Sequence, residues 1–152
     1  MGDINFTISI PTDDDGYILM QCEHCGECFK ITAVDAQDDR ILNIHCPACG
    51  LISESYFTED VIKLAEAMVT NYAIDQIYGE FKKIEKQTKG NFISFRAGKK
   101  PEHLSESPAR SGIEALQIAS FPCCHRKAKI KPLLIMTGCS CPFCGVKNYD
   151  FE

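Results

Sequence analysis

Cys22-Glu23-His24-Cys25-Gly26 and Cys46-Pro47-Ala48-Cys49-Gly50 are two Cys-x2-Cys-Gly turns, with twenty residues between Cys25 and Cys46. Two thiolates three positions apart on a tight turn can reach one ion at about 2.3 Å, and a tetrahedral site needs two such pairs. A glycine after the second cysteine permits the left-handed backbone that aims nearby amides at the sulfurs. Two unrelated buried pairs would not need both glycines. Cys28 extends the first turn to a Cys-x2-Cys-x2-Cys run, which raises an iron–sulfur alternative. A ferredoxin run would continue with a further cysteine about four residues on, and none follows. Cys28 therefore reads as a packed thiol, and His24 and His45 as turn residues.

The C-terminal cysteines repeat the pattern with one alteration. Lys30 and Ile31 stand five and six positions after Cys25, and Lys129 and Ile130 stand there after Cys124. Sixteen residues separate Cys124 from Cys141, and Cys141-Pro142-Phe143-Cys144-Gly145 matches the second turn. Phe121 occupies the place of Cys22. A fourth ligand must then come from Cys123, Cys139, His125 or water. Cys123 is the first choice, although vicinal thiolates share an ion only on a distorted turn, and Cys139 is second. The predicted ligands are thus Cys22, Cys25, Cys46 and Cys49 for one zinc and Cys123, Cys124, Cys141 and Cys144 for another. A water in the fourth position would be the route to a catalytic zinc. With no acid near the turn to act as a base, structural zinc is expected.

At these residues the chain resembles the zinc ribbons of the transcription factor IIB, RNA polymerase subunit and transposase type. The likeness covers about thirty residues of the first cluster and implies a ribbon fold. For function it implies little, because such ribbons bind DNA, RNA or protein. More loosely, the whole chain is similar to bacterial proteins with two zinc ribbons joined by a long helix, a group that implies an architecture and no activity.

The elements that must position these sulfurs are read from pattern. Ile4, Phe6, Ile8 and Ile10 alternate with polar residues as in a half-buried strand. Pro11 ends it, and Asp13-Asp14-Asp15-Gly16 is a turn without the spacing of a calcium loop. Tyr17 to Met20 resume an extended run. Thr58 caps a helix predicted to reach Lys89, with Val61, Leu64, Ala65, Met68 and Tyr72 as its apolar stripe, continued by Ile74, Ile77, Tyr78, Phe81 and Ile84. Gly79 suggests a bend or two abutting helices, and Gly90 is the stop. Phe92 to Arg96 reads as a short strand, Lys99 to Ser111 as a loop, and Gly112 to Ala119 as either strand or helix. The expected fold class is α+β, two small zinc ribbons of short antiparallel strands joined by a long amphipathic helix. Residues 1–57 hold the first strand and ribbon, 58–90 the helix, 91–120 a strand and linker, and 121–152 the altered ribbon. The helix is expected to bridge the two metal modules.

Composition and charge narrow the function classes. Ten cysteines exceed what packing needs, and the formal charge is −5. Residues 1–60 hold twelve acids and two bases, and residues 61–152 hold fourteen bases and nine acids. There is no apolar run long enough to span a membrane and no basic or apolar leader, so the expected location is cytoplasmic, where thiols stay reduced. Lys82, Lys83, Lys86 and Lys89 form one basic cluster, extended by Arg96, Lys99 and Lys100. Arg126, Lys127, Lys129 and Lys131 form another. They could track phosphates, balance the −2 charge of a four-thiolate zinc site, or dock on the acidic half of the same molecule. No nucleophile–base pair or phosphate-binding glycine loop is present, so the chain is not expected to be an enzyme. The preferred expectation is an adaptor or regulatory subunit with a protein partner. The alternative is a DNA- or RNA-binding module that uses the two basic clusters.

Overall fold

The computed structural model describes residues 2–110, 112 and 115–151. The chain divides into two compact units. One consists of residues 1–8 and 60–108, and the other of 9–59 and 109–152. Both cysteine clusters lie in the second unit. Expected to be separate modules bridged by the helix, the two clusters are joined directly through their strands.

That unit is built on two hairpins. Tyr17–Gln21 (β1) and Cys28–Thr32 (β2) pair antiparallel, with Tyr17 opposite Thr32 and Gln21 opposite Cys28. Thr32 then caps a single helical turn, Ala33–Ala36 (α1), by accepting a 3.0 Å bond from the Asp35 N–H. Gln117–Phe121 (β3) and Arg126–Ile130 (β4) form the second hairpin. The inner strands β2 and β4 also pair antiparallel, so one sheet runs β1-β2-β4-β3. Lys30 faces Lys129 at this junction. These are the two residues that the internal repeat aligns, so the junction lies on a pseudo-twofold axis. The core beneath comes from both halves: Phe29, Ile31, Ala119, Phe121, Ala128 and Ile130 are fully or almost fully buried. A short helix, Pro132–Thr137 (α3), opens with proline at its first turn and is followed by Gly138 at φ 88°. Cys139–Ser140 (β5) pairs with Lys147–Asn148 (β6).

In the other unit, Glu59–Thr88 (α2) is one thirty-residue helix, continuous through Gly79 rather than split there. Its buried positions include Val61, Ala67 and Asn71, whereas Ile77, Phe81 and Ile84 from the expected stripe are largely exposed. Asn71 is a polar residue that the apolar pattern could not flag. Its amide donates to the Leu104 carbonyl at 2.9 Å and to Glu106 at 2.8 Å, and its oxygen accepts from the Leu104 N–H at 2.7 Å. These bonds hold the return segment on the helix. Two expected strands are absent. Residues 4–10 are not paired into a sheet, and the Phe6 ring instead packs edge-on against Tyr72, with centroids 5.7 Å apart. Residues 92–96 form a bend and an irregular segment, likewise without a strand partner among the described residues. Residues 99–110 are a loop, as expected. In the undecided stretch, strand begins at Gln117; residues 111, 113 and 114 lie outside the described ones, as do the first and last residues.

The acidic turn has a structural task. Gly16 at φ 81° closes it, and Asp13 Oδ2 accepts from Lys30 at 3.0 Å and from Lys129 at 2.8 Å. All three side chains are nearly buried. Burial opposes the Asp13 charge, but the Lys129, Tyr17 and Lys30 contacts outweigh it and hold the carboxyl well below its ordinary range. A depressed value means that this stability is fully present above about pH 4 and is lost progressively as pH falls from there through the lowered folded-state value. Asp13→Asn removes the one carboxylate that Lys30 and Lys129 share, leaving Lys129 only Asp15, and should cost about 3 kcal/mol. Chemical denaturation at neutral pH of the metal-loaded protein measures this. A change below about 0.5 kcal/mol would show that Asp13 is not what permits the junction.

Candidate metal centre

Each hairpin bend and each cysteine-proline turn adopts the same local geometry. The N–H after the second cysteine returns to the carbonyl of the first residue: Gly26 to Cys22 at 2.9 Å, Gly50 to Cys46 at 2.8 Å, and Gly145 to Cys141 at 2.9 Å. In the altered turn, His125 does this to Phe121 at 2.8 Å. The three glycines have φ of 72–74°, and His125 takes the same left-handed region at 57°. His125 is thus a stand-in for glycine, and it lies outside both sulfur groups.

The turns converge in two pairs. Cys22, Cys25, Cys46 and Cys49 bring their sulfurs within 4.8 Å of one another, and so do Cys123, Cys124, Cys141 and Cys144. Cys22 Sγ lies 3.8 Å from Cys49 Sγ, and Cys25 Sγ lies 3.5 Å from Cys46 Sγ. In the second group, Cys124 Sγ lies 3.5 Å from Cys141 Sγ and Cys123 Sγ lies 3.2 Å from Cys144 Sγ. A tetrahedron with bonds of about 2.3 Å has sulfurs about 3.8 Å apart, so both groups have room for one ion with modest adjustment. All ten cysteines are free.

The missing sulfur at Phe121 is supplied two residues along the same turn. The Phe121 ring is fully buried and meets Phe151 edge-on at 5.4 Å, so that position serves the core. Cys123 then pairs with Cys144 as Cys22 pairs with Cys49. The other candidate, Cys139, is 1% exposed and packs in the hydrophobic cluster, where burial pushes its thiol up to about 11. Cys28 stays outside the first group, its thiol also raised by burial.

Two polar residues absent from the sequence reading face the sulfurs. Ser53 Oγ lies 3.9 Å from Cys22 Sγ, and the Asn148 amide donates to Cys123 Sγ at 3.5 Å. Each stands four positions after the last cysteine of its group, so extending the repeat alignment would have found them. Burial also opposes the Cys22 thiolate, yet the N–H groups of Cys25 and His24, with Cys46 and Ser53, bring the thiol down to about 7. Burial pushes Cys46 and Cys141 strongly up. A bound cation reverses that preference and makes all four sulfurs of a site thiolates.

The centres brace each other. The N–H of His45 donates to the Pro142 carbonyl at 2.8 Å, and the N–H of Ser140 donates to the Pro47 carbonyl at 3.0 Å. Both donors immediately precede a cysteine and both acceptors follow one, so the contact is reciprocal. A Cβ at Gly145 would come within 2.8 Å of the His45 ring, and one at Gly50 within 3.0 Å of Ser140 Oγ. These glycines serve both the turn and the junction.

The second basic cluster lies beside acids of its own unit. Arg126 pairs with Asp38 at 3.0 Å and with Asp35, Lys129 with Asp13 and with Asp15 at 2.6 Å, and Lys131 with Glu27 at 2.7 Å. Only Lys127 of that group is exposed without an ion pair among the described residues. On the helix, Lys82 pairs with Glu85 and Lys83 with Glu80, while Lys86 and Lys89 have no such partner among the described residues.

If Cys123 is the fourth ligand of the altered site, Cys123→Ala should lower bound metal from two equivalents to one. Cys139→Ala should leave two. Elemental analysis of the purified full-length variants decides this, and the reverse pattern would move the ligand to Cys139.

No protein-family model, curated protein or solved structure matches this chain, so the two centres are read from their own geometry.

Proposed function

We propose that the protein is a non-enzymatic adaptor or regulatory subunit whose two zinc ribbons present a surface to a protein partner. The all-sulfur ligand sets support zinc, a tetrahedral and redox-inert ion suited to soft thiolates. Cys22, Cys25, Cys46 and Cys49 would hold one ion, and Cys123, Cys124, Cys141 and Cys144 the other. The ions supply cross-linking, each worth roughly 10–16 kcal/mol at neutral pH.

The observation that carries the adaptor reading is the open cleft of about 440 Å³ on the first ribbon. Its lining includes Ile41, Leu42, Ile44, Ile52 and Tyr56. Leu42 is 88% exposed and Ile52 is 47% exposed. Large apolar side chains in one exposed concavity are a feature of protein-binding surfaces. The ion pairs of Arg126, Lys129 and Lys131 favour this reading over nucleic-acid tracking by the second ribbon, because those charges already have anions. Among the described residues, no helix is long and apolar enough to cross a membrane.

Two outcomes are expected. Strong chelation should remove the near-UV signal and the thermal transition together; a cooperative transition in protein shown to be metal-free would contradict the structural role of zinc. Affinity capture with the zinc-loaded chain should retain one stoichiometric partner, and Leu42→Ser with Ile52→Ser should abolish that retention without loss of zinc. Undiminished capture by the double variant would remove the cleft from consideration.

A further inference from the structure

The C-terminal end of α2 carries more positive charge than helix capping explains. Lys82, Lys86 and Lys89 lie at helical spacings of four and three, so they share one face. Gly90 at φ 87° reverses the chain after Thr88. The Thr88 hydroxyl donates to the Ile84 carbonyl at 2.9 Å and accepts from the Phe95 N–H at 3.0 Å. The Phe95 ring packs on Phe81, with centroids 5.8 Å apart. These contacts bring Arg96 back along the helix and enclose a cleft of about 540 Å³, lined by Lys82, Glu85, Lys86, Lys89, Phe95 and Arg96 among others.

Four cations and one carboxylate leave this cleft with an excess of three positive charges. Glu85 is already engaged: Lys82 bonds it at 2.9 Å, and Lys82 first, then the Ala97 N–H and Arg96, hold its carboxyl down. Lys86, Lys89 and Arg96 have no acid within ion-pair distance among the described residues. A helix C-terminus favours a cation or two in its last turn. It gives no reason for Arg96, which lies off the helix and is positioned by the Thr88 and Phe81 contacts. Clustered cations repel one another unless an anion joins them, and guanidinium with ammonium groups suits phosphoryl oxygens.

We propose that this cleft is a phosphate-binding site, for free polyphosphate or for the phosphates of a single-stranded nucleic acid. It stands apart from the adaptor reading, since it shares no residue with the ribbons. The test is calorimetric titration of the zinc-loaded full chain with inorganic triphosphate and, separately, with an oligothymidine. Binding of triphosphate alone identifies free polyphosphate as the source. Tighter binding of the oligonucleotide, falling about tenfold between roughly 50 and 200 mM salt, identifies a strand backbone. Either should weaken at least about tenfold in the Lys86→Gln, Lys89→Gln, Arg96→Gln triple variant. Lys127→Gln should leave it unchanged. The substituted side chains are at the surface, and retained zinc and helical circular dichroism would confirm folding. Zinc abstraction by triphosphate would affect wild type and triple variant alike, so the difference between them reads the cleft. No binding of either probe, or equal binding by the triple variant, would overturn the proposal.

Discussion

Lys30 and Lys129 face each other across the seam between the two hairpins, and two ammonium groups in that position would push the strands apart. The seam closes because Asp13, from the turn before β1, lies against both. Arg126 with Asp35 and Asp38, and Lys131 with Glu27, extend the same logic along the junction. The acidic first half and the basic second half of this unit are two sides of one contact. Within this unit, the charge separation along the chain is met by pairing of the two halves.

The two centres share a design with one substitution in it. Four similar turns, each needing a left-handed residue after its last cysteine, are arranged so that the sulfurs of two turns face one another. Phe121 gives up a ligand position to the core, and the sulfur moves to Cys123 at the exposed side of the bend. The move costs symmetry and leaves four sulfurs in the group. His125 pays for holding a glycine conformation with a side chain, and the turn hydrogen bond to Phe121 keeps it there. Because each cysteine-proline turn donates to and accepts from the other, the order of one centre supports the other.

Much of this was legible in the residues. Spacing picked out the first sulfur group and three members of the second, and the repeat showed Phe121 in the place of Cys22, with Cys123 the first choice for the fourth sulfur. The long helix, its start after Thr58 and its stop at Gly90 followed from capping and periodicity. What the chain did not reveal was tertiary. A period-two pattern at Ile4 to Ile10 looks like a strand whether or not it finds a partner, and here it pairs with none among the described residues. Equally, nothing local announces that Lys129 will meet Asp13, since that contact spans most of the chain. The expectation of a helix bridging two modules failed because sequence order is a poor guide to which edges pair. Ser53 and Asn148 were missed as sulfur partners because their role is visible only when the repeat is extended past its cysteines.

The central β2–β4 pairing has a consequence for biosynthesis. Its partners are separated by roughly a hundred residues, which take on the order of 5–20 s to translate. Through that interval β2 emerges with its main-chain donors and acceptors open on one side, an invitation to any extended peptide nearby. The nascent first half must wait for its own second half, and the lysine at the middle of that open edge helps to keep other strands away in the meantime.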